Sequence, residues 1–252
     1  MLRPAAVLAS GITRSVRGVR LLDDLELSVG VGGRLLLMSR PEGSASLLLR
    51  ILAGLAHADR GNVRLAGVSR ADDSAAGWAR RIGYVGASAG IYAWMTPAEV
   101  LELAGRLAGY DRAERHRRSD AAVEHYRLGA SRDAPIRRGG AALAQRTALA
   151  AAMLTDPEVL LLDDPLRSVE AEERSRLLAI PGKRRTVVLA SAFPATEAGL
   201  VNQIALLREG KVVLHAPVRE LDARGLTLSL RGIEALAGIG EGAGSAAEVA
   251  AR

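Results

Sequence analysis

The apolar run Leu35-Leu36-Leu37-Met38 leads into a short turn, Ser39 to Ser46, and then into a second apolar run at helical spacing, Leu47 to Leu55. This order restricts the chain to folds in which a buried strand feeds directly into a helix. A turn at the mouth of such a helix collects backbone N–H groups at the positive end of the helix dipole, which is the layout of a phosphate-binding loop. The working pattern of that loop is G-x-x-x-x-G-K-[ST]. Ser39 and Ser44 stand where the two glycines belong, Ala45 stands where the lysine belongs, and Ser46 alone matches. The layout predicts a nucleotide-type α/β fold; the residues predict weakened or lost nucleotide chemistry.

The remaining pattern fits an α/β chain with a mixed or parallel sheet core. Short apolar segments around Val7, Leu21-Leu22, Leu25-Glu26-Leu27 and Leu35-Leu36-Leu37, broken by Gly30 and Gly32-Gly33, predict a β-rich start over 5–38. Gly61–Gly67 and Ile82–Val85 read as short strands. From Thr96 to Arg132 the spacing turns helical (Val100, Leu101, Leu103, Leu107, then Ala121, Val123, Tyr126, Leu128), which predicts a helical insert, and the helical signal resumes over Gln145–Leu154. Val159–Leu162 and Thr186–Ala190 are unbroken apolar runs, as expected of central parallel strands covered on both faces. Ile204–Val213 reads as a closing hairpin. After Leu221 the chain becomes Gly- and Ala-rich, and 221–252 reads as a partly disordered tail, frayed from Gly238 onward.

Composition narrows the class further. The chain has 252 residues, 49% of them hydrophobic, enough for one large α/β domain or for one domain with a subdomain and a tail. No uncharged apolar run is long enough to span a bilayer. The N-terminal Met1–Ser10 mimics a signal peptide, but its apolar region is short, so secretion is not expected. The absence of cysteine excludes disulfides and thiolate metal sites and suits a reducing cytoplasm. The net charge of +6 comes almost wholly from arginine. Its densest run, Arg112 to Arg118, has no interleaved stacking aromatics and reads as the solvated face of a helix, so no nucleic-acid partner is expected.

Five segments in order carry a family resemblance. They are Leu48–Leu55 after the phosphate loop, Arg80–Val85, Gln145–Ala150, Asp156–Pro165 and Leu206–Lys211. In sequence and spacing they resemble the ATP-binding cassette, the nucleotide-binding subunit of ABC transporters, over residues 5–220. The resemblance implies a P-loop NTPase-like ABC ATPase fold over 1–220, with a helical subdomain at about 88–145. It implies ATP and Mg²⁺ as ligands, a transmembrane transporter subunit as partner, and a homologous nucleotide-binding subunit in a head-to-tail homo- or heterodimer. It places the chain in the cytoplasm, peripheral on the inner face of the cell membrane. Gly90–Val100 resembles exporter-type cassettes more than importers.

The family's functional positions, carried over one by one, are mostly altered. The nucleotide would lie against Ser39, Gly43, Ser44, Ala45, Ser46 and Leu47, and the metal against Ser46 and Asp163. Ala45 in place of the family's lysine removes charge-assisted hydrogen bonds of roughly 1.5–3 kcal/mol each. Val16 replaces the adenine-stacking aromatic, a platform of ~1–3 kcal/mol on the base-stacking scale. Ala87 replaces the Q-loop glutamine, Gly139-Gly140-Ala141-Ala142 replaces the signature Leu-Ser-Gly-Gly, and Ala192 replaces the switch histidine. Asp164 replaces the glutamate that polarises the attacking water and is one methylene shorter; a misplacement near 1 Å can cost about 10²-fold. The D-loop position reads Ser168-Val169-Glu170. Hydrolysis at this chain's own loop is therefore expected to be weak or absent, with ATP and Mg²⁺ held weakly if bound. A head-to-tail pair joins one subunit's loop to the other's signature, so this chain impairs both composite sites.

Several of these residues have plainer readings. Ser46 could serve as a helix N-cap alone, and Asp163-Asp164 as a solvated strand end. Gly43 and Ser44 could keep an anion nest from backbone N–H groups, which the carboxylate of Glu42 would oppose. Tyr92 and Trp94 could be core or contact surface. A non-enzymatic scaffold or regulatory protein on the same fold is the second functional reading.

Overall fold

The computed structural model describes residues 4–40, 43–71, 75–180, 182, 184–191, 194–197 and 199–239. The positions of Glu42 and Ala192, and the tail from 240 onward, lie outside the described residues.

Two sheets form the framework. β1 (Ala5–Val16), β2 (Val19–Gly30), β4 (Arg60–Leu65) and β5 (Val68–Ser69) make an antiparallel sheet in the order β2-β1-β4-β5. The larger sheet adds β3 (Arg34–Arg40), β6 (Ile82–Val85), β7 (Val159–Asp163), β8 (Thr186–Ala190), β9 (Gln203–Arg208) and β10 (Lys211–Pro217), in the order β10-β9-β3-β8-β7-β6. Its neighbours pair in parallel from β9 to β6, and β10 returns antiparallel.

The central strands are apolar on both sides because both faces are covered. Alternation decides which core each side chain enters. Leu35, Leu37, Val159, Leu161, Val188, Ala205 and Leu207 face the antiparallel sheet and α1 (Ser44–Leu52). Leu36, Met38, Leu160, Leu162, Val187, Leu189, Ile204 and Leu206 face the helical layer. That layer includes α3 (Pro97–Leu107), α4 (Arg112–His125), α5 (Gly140–Leu154) and α6 (Ala171–Leu178). The short α2 (Ala75–Arg81) precedes β6 and carries the buried Trp78.

α3 shows how local chemistry sets an element's start. Thr96 Oγ1 accepts from Glu99 N–H, the Glu99 carboxylate accepts from Thr96 N–H, and Pro97 fills the first helical position. In α4 the arginine run is solvated only in part: Arg117 is exposed and bound to Glu114 at 2.6 Å, whereas Arg115 and Arg118 are half-buried and donate to the carbonyls of Tyr110 and Leu154.

The sequence reading of 221–252 as a tail needs correction over 221–239. α7 (Arg219–Ala223) and α8 (Leu230–Leu236) bury Leu221, Ile233 and Leu236 against the helical-side core. The high Gly and Ala content hid a few well-spaced apolar residues.

Candidate functional site

The parallel strands β3, β7 and β8 end side by side, and α1 lies over all three. In open α/β sheets this carboxyl end is where ligand crevices form. β3 delivers Ser39, and the chain then enters α1 through Gly43, whose φ of 97° is a left-handed conformation natural to glycine.

The first turn of α1 holds the sequence-predicted loop residues in particular states. Gly43 is exposed, Leu47 is half-buried, and Leu47 N–H donates to Gly43 O at 2.9 Å. Ala45 is buried, and its N–H donates to Ser39 Oγ at 3.2 Å. A first-turn N–H that would face an anion is thus satisfied from within the chain. Ser44 is fully buried, and its hydroxyl has no hydrogen-bond partner among the described residues. Ser46 is not a cap. Gly43 occupies the N-cap position, and Ser46 Oγ donates instead to Asp163 Oδ1 at 2.7 Å.

Asp163, the last residue of β7, is 7% exposed. Burial pushes its carboxyl above the usual range, and the neighbouring Asp164 charge adds to the push; hydrogen bonds from Ser46 and Tyr84 and the charge of Arg50 pull the other way. Tyr84, on the adjacent β6, is itself raised by burial and by the Asp163 charge. Asp164 follows with φ 45° and Leu166 with φ 57°, two non-glycine residues in the left-handed region at a strand end. Asp164 N–H donates to Ala190 O at 2.8 Å, and its carboxylate lies 3.9 Å from Arg167 Nη1. Asp163-Asp164 is therefore not a solvated strand end: Asp163 is a buried, doubly hydrogen-bonded carboxyl.

As a metal site this is a minimal set. Ser46 Oγ and one Asp163 oxygen are neighbours, and no cluster of three or more His, Asp or Glu that could hold a metal occurs among the described residues. Mg²⁺ prefers six oxygens in near-octahedral array. The pair fits such an ion only with water and phosphate oxygens completing the shell.

The other predicted positions lie around this centre. Val16 ends β1 in a tight hairpin with Val19, and both are exposed. Gly139 precedes α5, which begins at Gly140 with φ 66°. Tyr92 and Trp94 are not core: each is 63% exposed, and the rings stack with centroids 5.6 Å apart. Sequence reasoning missed Tyr84 and Gln145. Gln145 is buried on α5, where Nε2 donates to Ala87 O at 3.2 Å and Oε1 accepts from Ser168 N–H at 3.0 Å. A polar residue on the buried face of an apolar helix was the available signal for Gln145; Tyr84 offered none.

A mainly parallel six-stranded sheet, an antiparallel sheet against one face, a helical layer against the other and a turn-to-helix at the carboxyl ends define the P-loop NTPase-like cassette. Residues 22–167 match the ABC transporter family, and the chain belongs to it. It is 27% identical over 86% of its length to the daunorubicin/doxorubicin resistance ATP-binding protein DrrA of Streptomyces peucetius, and the match spans 66% of that protein, just under two thirds. It is 30% identical over 85% of its length to the nickel import ATP-binding protein NikO of Rhodobacter capsulatus, covering 90% of that chain. In fold it is similar to the solved ATP-binding subunit of an ABC transporter, with a TM-score of 0.79 at 19% identity, covering 92% of this chain and 99% of the other.

Proposed function

We propose that this chain is a hydrolysis-deficient ATP-binding-cassette subunit of an ABC transporter, of exporter type, acting as a degenerate partner. Ala45 carries the reading: at the lysine position of the phosphate loop there is a buried methyl group and no cation. Asp164 is its vestigial catalytic carboxylate, Ser46 and Asp163 its vestigial metal pair, and Ser39, Gly43, Ser44, Ala45, Ser46 and Leu47 its loop. Mg²⁺ bound there would neutralise phosphate charge; the chain's own contribution is limited to the Ser46 hydroxyl and the Asp163 carboxyl.

The family's nucleotide-binding motifs lie within residues 1–220, with the helical subdomain at about 88–145, and α7 and α8 complete the folded unit. The unit pairs with a homologous subunit and docks through region 86–135 on a transmembrane partner. The exposed Tyr92–Trp94 stack supports that docking face, because Tyr, Trp and Arg are the residue types that anchor interfaces. No helix among the described residues is long and apolar enough to cross a membrane, which fits a peripheral subunit on the inner face. One relative is named for drug resistance and another for nickel import; the exporter reading rests on the Gly90–Val100 segment.

The second reading, a scaffold or regulatory protein with little or no nucleotide binding, is favoured by the internal Ser39–Ala45 hydrogen bond. Equilibrium binding of Mg-ATP to the purified chain separates the two. Micromolar affinity supports the transporter-site reading, and millimolar or no affinity supports the scaffold. A robust ATPase rate that Asp164→Asn abolishes would overturn the hydrolysis-deficient assignment itself.

A further inference from the structure

Gln145 is 4% exposed, yet both ends of its amide are satisfied by backbone groups of two loops distant in sequence. Burying an amide without partners is costly, so these two bonds are what make the position tolerable. The loops come from neighbouring strands. β6 and β7 pair in parallel up to Val85 opposite Leu162, where the ladder ends. The chain after β6 passes Ala87 and reaches the Tyr92–Trp94 stack; the chain after β7 passes Asp163 and Asp164 and reaches Ser168. Gln145 rejoins these diverging segments beyond the last strand pair, donating to one and accepting from the other.

We propose that Gln145 is a positioning residue that couples the Tyr92–Trp94 surface to the Asp163–Asp164 strand end. The connection is a contiguous hydrogen-bonded path from Ala87 through one side chain to Ser168. It rests on the reading of region 86–135 as the docking face, and it goes further by naming the side chain through which a displacement there reaches the site. With Ala87 in the loop, no side chain at that position performs the link, and the Ala87 carbonyl is what remains to be held.

Amide hydrogen exchange, read by NMR on the full chain, tests this through an alteration at one end measured at the other. Ala87→Gly loosens the backbone whose carbonyl accepts from Gln145 Nε2, without touching Ser168. In the Gln145 chain it should speed exchange at the Ser168 amide about fivefold, the scale of one net hydrogen bond. In a Gln145→Glu background the carboxylate still accepts from Ser168 but cannot donate to Ala87. There Ala87→Gly should leave the Ser168 amide unchanged. A Ser168 amide that ignores Ala87→Gly in the Gln145 chain, or that shifts equally in both backgrounds, overturns the proposal. The exchange result needs no partner. Failure of a transmembrane partner to bind through 86–135 therefore removes the docking reading while leaving the exchange result to decide the coupling.

Discussion

Ser46 Oγ and Asp163 Oδ1 stand 2.7 Å apart, so the first turn of α1 is tied to the end of β7 by a direct hydroxyl–carboxyl hydrogen bond. This bond and the Ser39–Ala45 bond satisfy two of the loop's polar groups from within the chain, and the buried Ala45 methyl leaves no cation at the lysine position.

Ala45→Lys is expected to strengthen Mg-ATP binding by about 10- to 100-fold. One restored charge-assisted hydrogen bond contributes roughly 1.5–3 kcal/mol, and 1.4 kcal/mol is a factor of ten. Calorimetric titration of the wild type and the variant checks it. Equal affinities would show that the lysine position is not what limits binding.

Asp163 makes stability depend on pH in a definite direction. A buried carboxyl raised above its unfolded value favours the fold when protonated. Its contribution is full below the ordinary value of 3.8 and is lost as pH rises through the raised one. Asp163→Asn removes this titration and keeps an acceptor for Ser46. The variant should therefore gain stability relative to the wild type between pH 4 and pH 8, as read from urea midpoints. A difference that stays constant over that span would refute the assignment.

Arg174 and Glu197 form a buried pair, 5% and 2% exposed at their side chains and 3.7 Å apart, and Ser191 Oγ donates to the same Glu197 oxygen at 2.9 Å. Glu197→Ala leaves Arg174 buried without that carboxylate and should cost about 3–5 kcal/mol. Arg174→Met combined with Glu197→Leu should recover most of that loss. Denaturant unfolding of the single and double variants gives the comparison, and a double variant no better than the single would contradict it.

Trp94→Ala and Tyr92→Ala should leave stability within about 0.5 kcal/mol, as surface changes do, yet abolish capture of a transmembrane partner in a detergent pull-down. Undiminished capture would place the docking face elsewhere.

The central strands were legible because continuous apolar runs have few alternatives: Val159–Leu162 and Thr186–Ala190 coincide with β7 and β8. The predicted hairpin over Ile204–Val213 is β9 and β10. The start of the chain was harder to read. β1 and β2 are each 12 residues long, half-exposed and interrupted by bulges, so their apolar residues looked like short separate segments. α2 and α6 were missed because both are short, and half of α6 is charged, with only Arg174, Leu177 and Leu178 buried. At the site, the loop residues could be named from their order. The Tyr84–Asp163 and Gln145–Ser168 contacts could not, since they join residues far apart in the chain by sheet order and helix packing.

Because Leu221, Ile233 and Leu236 fill the helical-side core through α7 and α8, the folding unit does not stop where the family's motifs stop. Cutting the chain at residue 220 would leave an apolar gap beside β9 and a sticky, poorly folded product. Any minimal version meant for crystallisation or partner reconstitution must extend to about residue 239.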